Sequence, residues 1–200
     1  ILSQRMMAVA FEWHNYGKST IGNRADIERV PVDSLQAFYK KFYQVDNTVL
    51  LVAGKFDEAK ALEYVGKYFA VLKRPTRVLP QTYTEEPAQD GGRSVTLRRV
   101  GKVPIVALMY HIPAASHEDH PAVEIMSMIL GQTPSGRLYK NLVETQKAAG
   151  VFNAPLQLYD PGLMVFAAQV RPEKPLDAAL AGLIADVEKA SAKPITDAEV

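Results

Sequence analysis

Residues His117 to Glu144 read HEDHPAVEIMSMILGQTPSGRLYKNLVE. An apolar helix runs up to a break at Gly131-Gln132-Thr133-Pro134, and a second helix opens on Ser135-Gly136-Arg137-Leu138-Tyr139. Two helices joined by so short a polar turn fix the architecture around them. His117-Glu118-Asp119-His120 places four potential metal ligands together, but Pro121 decides how they are arranged. A residue preceding proline is pushed out of the α region, and proline itself suits the first helical turn. The helix is therefore expected to start at Pro121, with Asp119 or His120 at the cap. The two histidines then lie in a solvated turn and not on one helical face. Their spacing of three also departs from His-x-x-Glu-His, which sets its histidines four apart.

Outward from this pair, Val103 to Ile112 reads as a strand before it, with Arg93 to Arg99 as another. After it, Val151–Leu158 and Leu163–Val170 read as strands joined through Tyr159-Asp160-Pro161-Gly162, a turn sequence. Leu176 to Ala190 closes as a helix with Leu180, Leu183, Ile184 and Val187 inward. Upstream, Leu2–Phe11 is a helix and Glu12–Arg29 a polar loop. Pro31 opens a helix carrying Leu35, Phe38, Tyr39, Phe42 and Tyr43 at helical spacing. Asn47–Gly54 (NTVLLVAG) reads as a buried strand, and Asp57 caps a helix striped by Ala61, Leu62, Val65, Tyr68, Phe69 and Leu72. Residues 73–92 hold Pro75, Pro80, Pro87 and Gly91-Gly92, a density that supports neither helix nor central strand. The expected organisation is a first domain over 1–72, a linker over 73–92 and a second domain over 93–200. Paired strands with paired helices predict an α+β fold, its helices packed on one face of a mainly antiparallel sheet.

Composition narrows the chemistry. The net charge is +1 with 48% apolar residues, which favours neither nucleic acid nor an anionic membrane as partner. Arg93, Arg98, Arg99 and Lys102 form a local basic cluster, read as a solvated strand-and-turn face. No apolar run approaches the roughly 18 residues that span a bilayer. Cysteine is absent, so thiolate ligands, thiol nucleophiles and disulfides are excluded. Ser135 does not sit in the Gly-x-Ser-x-Gly elbow of a serine hydrolase, and no phosphate-binding glycine loop occurs. His14 reads as a loop histidine beside Trp13, and His111 as a strand-face histidine with a hydrogen-bond partner. Thr196 with Glu199 forms a capping box that opens a helix only about one turn before Val200. That helix start, with an opening helix that lacks its beginning, reads as an internal fragment of a longer protein.

Several segments resemble the M16 zinc peptidases, the pitrilysin and processing-peptidase family, in that family's order. Trp13-His14-Asn15-Tyr16-Gly17 with Ile21-Gly22 is similar to a His-Pro-Tyr-Gly and Ile-Gly region late in the first domain. Leu35 to Tyr39, Phe42-Tyr43 and Asp46-Asn47 resemble its Leu-x-x-Phe-Tyr helix, and Val49–Gly54 its strand ending in Val-x-Gly. Pro121-Ala122-Val123-Glu124 through Leu130-Gly131, with Ser135 to Tyr139, resembles the Leu-Gly-Gly-x-x-Ser-Ser-Arg-Leu-Tyr hallmark of the second domain. The resemblance implies two similar α+β domains holding a peptide between them. It also implies a zinc ion on His-x-x-Glu-His and a further glutamate, all in the first domain and upstream of Ile1. The fragment itself is then expected to carry no cofactor and no catalytic residue. Its implied partners are a peptide and the upstream zinc-binding domain or a partner subunit, and its implied setting is the periplasm or exterior of a bacterium. Arg137 is the one residue carried forward as a candidate substrate contact, against a helix-entry or interdomain role. In many relatives a second-domain arginine and tyrosine stabilise the reacting carbonyl. Alignment on Leu142 and Glu144 puts Val143 and Gly150 at those places, and neither has a side-chain donor.

Overall fold

A computed structural model describes residues 1–81, 83–101, 103–197 and 199. Its chain divides into two compact units, one formed by Ile1–Ala10 with Asp90–Val200 and the other by Phe11–Gln89.

The first unit is built on a three-stranded sheet. Strands β1 (Ile105–Ile112), β2 (Ala148–Leu156) and β3 (Gly162–Val170) lie in the order β1-β3-β2, with both pairings antiparallel. The β2–β3 hairpin turns at the Tyr159–Gly162 sequence, where a Cβ on Gly162 would collide with the Leu156 carbonyl. Alternation along β3 sends Met164, Phe166, Ala168 and Val170 to one face, where they meet Leu130, Leu138, Leu142 and Leu183 from the helices. The helices of this unit are α1 (Leu2–Ala10), which meets β1, α2 (His120–Gly131) against β2, and α3 (Leu176–Glu188) against β1 and β3, while Leu138 and Leu142 come from the helical turn that follows α2. The sequence-derived α+β class is the observed one. On α3, Ala179 and Leu183 are the buried positions, whereas Ile184, expected inward, is 37% exposed. Tyr110 on β1 donates to Glu188 Oε1 at 3.2 Å, tying α3 to the sheet. Burial, then the Glu188 carboxylate, pushes its hydroxyl up to about 12.

The link after α2 is tight. The Thr133–Pro134 peptide is cis, and Gly136 N donates to Gln132 O at 2.6 Å. The chain then enters a short π-helical turn, Tyr139–Val143, where a longer α-helix would follow from periodicity alone. Leu138 and Leu142 are both fully buried there. The strand expected over Arg93–Arg99 is not formed, and β1 begins at Ile105 rather than Val103. Arg93, Arg98 and Arg99 bear that out as irregular backbone, while Lys102 of the same basic cluster lies outside the described residues.

In the second unit, α4 (Arg24–Arg29), α5 (Val32–Phe42) and α6 (Glu58–Phe69) are helical. The first of these falls inside the stretch read as loop. Asn23 Oδ1 accepts from Ala25 N at 3.0 Å, and Arg24 pairs with Glu28 one turn on, so a cap and an i,i+4 pair suffice for two turns. Pro31 is the cap of α5 rather than its first residue. Asp57 caps α6 as expected, accepting from Lys60 N at 3.0 Å.

The strand expected over Asn47–Gly54 is absent. Val45–Asn47 is a 3-10 turn, and residues 48–53 run without a ladder partner. A strand exists only when its N–H and C=O groups find a neighbour, and among the described residues of this unit there is no other strand to supply one. Phe11 is the single buried residue among the described residues of 11–89. The apolar stripes read from the sequence are present, but they face outward. Leu35, Phe38 and Tyr39 on α5, Tyr43 at its C-cap, and Leu62, Tyr68 and Phe69 on α6, are all exposed.

Candidate functional site

Each histidine has its own local setting. His120 is the first residue of α2, one position earlier than the proline argument sets the start, with Asp119 at the cap. It is also buried, at 6% exposure, with no hydrogen-bond partner on Nε2, which corrects the solvated helix entry read from sequence. The apolar helix start folds the imidazole inward, whereas His117 stays in the turn. His117 Nδ1 accepts from Asp119 N at 3.2 Å, and the same ring lies 3.7 Å from the Asp119 carboxylate. His111 Nε2 donates to the Ala10 carbonyl at 3.1 Å, the expected strand-face partner. His14 Nδ1 accepts from Tyr16 N at 3.2 Å. Its ring lies against Tyr16 (centroids 4.1 Å apart) and Phe11 (5.9 Å), whereas Trp13, its expected neighbour, is largely exposed.

Zinc needs three or four converging nitrogen, sulfur or oxygen ligands. Among the described residues no group of three or more histidine, aspartate or glutamate side chains is placed to hold a metal. One ring nitrogen each of His14, His111 and His117 serves a hydrogen bond to the backbone, and His120 is buried. This donor set does not fit the zinc ion of an M16 peptidase, and no step through a metal is drawn from these residues.

Arg137 is the best-held cation of the molecule's second helix entry. Its Nε and Nη2 grip the Glu199 carboxylate at 2.7 and 2.9 Å. Nη1 donates to Lys193 O at 3.1 Å and Nη2 to Pro194 O at 3.0 Å. Glu199 also accepts from Thr196 N and Oγ1, both at 3.0 Å, so one half of the capping box read from the sequence is present, the carboxylate returning to the Thr196 amide, while Glu199 N bonds the Thr196 carbonyl rather than Oγ1. A bidentate guanidinium–carboxylate pair is the geometry arginine favours. The concavities beside it enclose about 200 and 270 Å³, lined by Arg137, Asn141, Asp186 and Lys193 among others. Pockets for small ligands run from about 300 Å³ upward.

The pair makes a pH prediction. Arg137, and then the Thr196 amide, hold Glu199 down to about 2, from an ordinary value of 4.5. A carboxylate depressed in the folded state contributes stability that is full above its unfolded value and fades as pH falls from about 4.5 toward 2. In Arg137→Ala the Glu199 side-chain carbon should titrate well above 2 by NMR and closer to the ordinary glutamate value, short of it by what the Thr196 bonds still supply. A titration still centred near 2 would remove Arg137 as the cause.

The two positions aligned with a family arginine and tyrosine stand apart. Val143 packs on the core beside the helices. Gly150 pairs with Gln169, on the sheet face turned away from Phe166 and Ala168, and a Cβ there would meet nothing within 4 Å.

Reading the sequence alone missed two polar contacts that hold this region. Asn153 on β2 donates from Nδ2 to Ser127 O at 3.0 Å and to Ser127 Oγ at 2.5 Å, latching α2 to the sheet. A Cβ on Gly131 would run into the Asn153 side chain, so the glycine break makes room for this latch as well as ending the helix. A serine inside an apolar helix and an asparagine inside an apolar strand were the only available signals. Glu86, within the stretch read as a linker, accepts from three successive backbone amides, those of Glu12, Trp13 and His14, at 2.7–2.9 Å.

Comparison with known proteins agrees with this arrangement. Residues 29–200 match the family model described as the peptidase M16 inactive domain, and the chain belongs to that family. The zinc protease PqqE of Helicobacter pylori is 31% identical over 199 residues, which cover 98% of this chain and 45% of that protein. A solved protease structure from Helicobacter pylori superposes with a TM-score of 0.90 at 31% identity, over 98% of this chain and 48% of that one. The first half of the periplasmic protease PqqL of Escherichia coli shares the fold, with a TM-score of 0.70 at 18% identity over 99% of this chain and 43% of that one. The chain thus spans about half the length of the relatives it matches.

Proposed function

We propose that this chain is the non-catalytic part of a bacterial M16-type zinc endopeptidase acting on peptides. It carries the zinc-free domain, which forms half of the peptide-holding chamber, together with the closing segment of the zinc-bearing domain. The zinc and its general base belong to residues upstream of Ile1, where bound zinc would activate the attacking water.

The observation that carries the reading is the second unit's outward-facing apolar surface. A unit of ordinary amphipathic helices with one buried residue among those described reads as a partial structure, since such helices are stable only when their apolar stripe is covered. Residues 48–53 offer an unladdered, apolar backbone to the same missing layer. The parent's upstream residues are the natural cover, supplying strands to this segment and side chains to Phe38, Leu62 and Tyr68. Arg137, with four hydrogen bonds made inside its own unit, is best read as the anchor of residues 193–199 and not as a peptide contact. The parent's place is the periplasm or the exterior of a bacterium, on the strength of the family.

Val143 and Gly150 favour a second reading, in which the parent is a catalytically inactive M16-like subunit used for binding or assembly. Zinc content and peptide cleavage, measured on this chain and on the longer parent, separate these readings. Zinc and cleavage in the parent alone support the first. Neither in the parent supports the second.

A further inference from the structure

Three arginines among the described residues of the first unit are partly buried, and two of them have partners. Arg137 holds Glu199, and Arg93 Nη1 donates to the Val9 carbonyl at 3.1 Å. The third, Arg171, is the first residue past the central strand β3. Among the described residues no carboxylate or carbonyl pairs with it, and its Nε is sealed from solvent without an acceptor. Folded chains rarely leave a buried donor in that state. Nη1 and Nη2 are not sealed, so the fork of the guanidinium stays open to an anion arriving end-on. Register sets what lies beside it. Gln169, two residues earlier, pairs with Ile105 on β1 and with Gly150 on β2, so these three share the sheet face turned away from Phe166 and Ala168. Gln169 is exposed, Ile105 is 41% exposed, and a Cβ on Gly150 would meet nothing within 4 Å. Further along β2 on the same face, Phe152 is 50% exposed opposite Ala167.

We propose that Arg171 is a carboxylate seat for a peptide lying across this end of the sheet. Strand alternation, carried two residues on from Gln169, assigns Arg171 to the same face. Its two Nη donors match the two oxygens of a carboxylate. The charge matches as well. Glu173 and Lys174, in the turn that follows, offset each other and leave one positive charge, which suits a carboxylate better than a doubly charged phosphate. Gln169 offers an amide to a peptide main chain, the open space over Gly150 admits that chain, and Ile105 and Phe152 offer apolar contact to its side chains. The carboxylate is that of an acidic side chain or of the peptide's C-terminus, which present the same group. Arg137 cannot serve in its place, because Glu199 already fills its fork. Arg171 is in this scheme a binding residue that sets specificity, and it takes no part in bond cleavage. The inference deepens the proposed function and rests on it for the peptide nature of the ligand, but it needs neither zinc nor an active parent.

Peptide binding to this chain tests the seat, followed by the NMR signal of the Arg171 Nε–H group, which its sealed position keeps from rapid exchange. The probes are octapeptides of valine and serine with one central residue. One carries glutamate and is capped at both ends, one carries glutamine and is capped likewise, and one carries glutamine with a free carboxyl end. The glutamate peptide should shift the Arg171 signal and bind roughly fivefold tighter than its capped glutamine twin, a charge-assisted gain reduced by solvent. The same gain in the uncapped glutamine peptide instead identifies the C-terminus as the ligand. Arg171→Ala should bring all three peptides to one affinity. Arg171→Lys keeps the charge without the fork and should retain part of the preference, whereas Arg137→Ala should retain all of it. Unchanged amide exchange along Leu163–Val170 establishes in each variant that the sheet is intact. No preference for either carboxylate peptide, or a preference that survives Arg171→Ala, would overturn the seat. Inorganic phosphate alone shifting the signal as far at equal concentration would show an adventitious anion only, and would overturn it too. In the longer parent the preference should persist, and its loss to an upstream carboxylate on Arg171 would likewise overturn the inference. Zinc and cleavage missing from the parent would remove the proposed peptidase and leave this binding result standing.

Discussion

Phe166→Ala is expected to destabilise the chain by about 3–5 kcal/mol, the usual cost of emptying a buried aromatic site. Phe166 is 1% exposed at the middle of the central strand, between Leu108 on β1 and Asn153 on β2. Its ring belongs to the cluster that also holds Leu130, Leu138, Leu142 and Leu183, so helices and sheet lose a shared filler together. Domain stabilities run to about 5–15 kcal/mol, so a loss of this size removes a large share of the total. Urea unfolding followed by circular dichroism measures it, as a fall of one molar or more in the midpoint. Leu62→Ala is the matched control in the other unit. Leu62 is 71% exposed, and its truncation should change stability by no more than about 0.5 kcal/mol in this chain. Equal effects of the two substitutions would mean that the second unit has a core of its own.

Gly136→Ala is the second large effect, at roughly 3 kcal/mol, the upper part of the overpacking range. A Cβ at Gly136 would lie 2.6 Å from Gln132 O, 2.7 Å from Gln132 N and 2.8 Å from Leu130 O. All three are backbone atoms, two from the turn at Gln132 and one from the last turn of α2, and none can swing aside as a side chain could. The turn must open, and with it the placement of Leu138 and Arg137. The same unfolding measurement gives the size of the loss. Amide exchange of Lys140, whose N–H bonds Gly136 O at 3.2 Å, locates it. A variant as stable as the original would contradict the close-packed turn.

The helix–turn–helix stretch was readable because its signals are local. Pro121 sets the start of α2 within one residue, Gly131 ends it, and the Tyr159–Gly162 turn fixes the hairpin that follows. What could not be read depends on distant partners. The NTVLLVAG segment has the composition of a strand, but composition cannot supply the neighbour that a ladder requires. His120 looks polar and terminal in sequence and is buried by the packing of α2. Arg137 finds its carboxylate 62 residues away, and Glu86 finds its amides more than 70 residues away, spacings that no local pattern encodes. Asn23 was legible in principle as a cap, and the glycines around its helix hid it.

Zinc content measured on this 200-residue chain tests the central claim most directly. After equilibration with zinc and removal of excess, the account predicts well below one bound ion per chain and no peptide cleavage. One tightly held zinc per chain, lost on His117→Ala or His120→Ala, would contradict it.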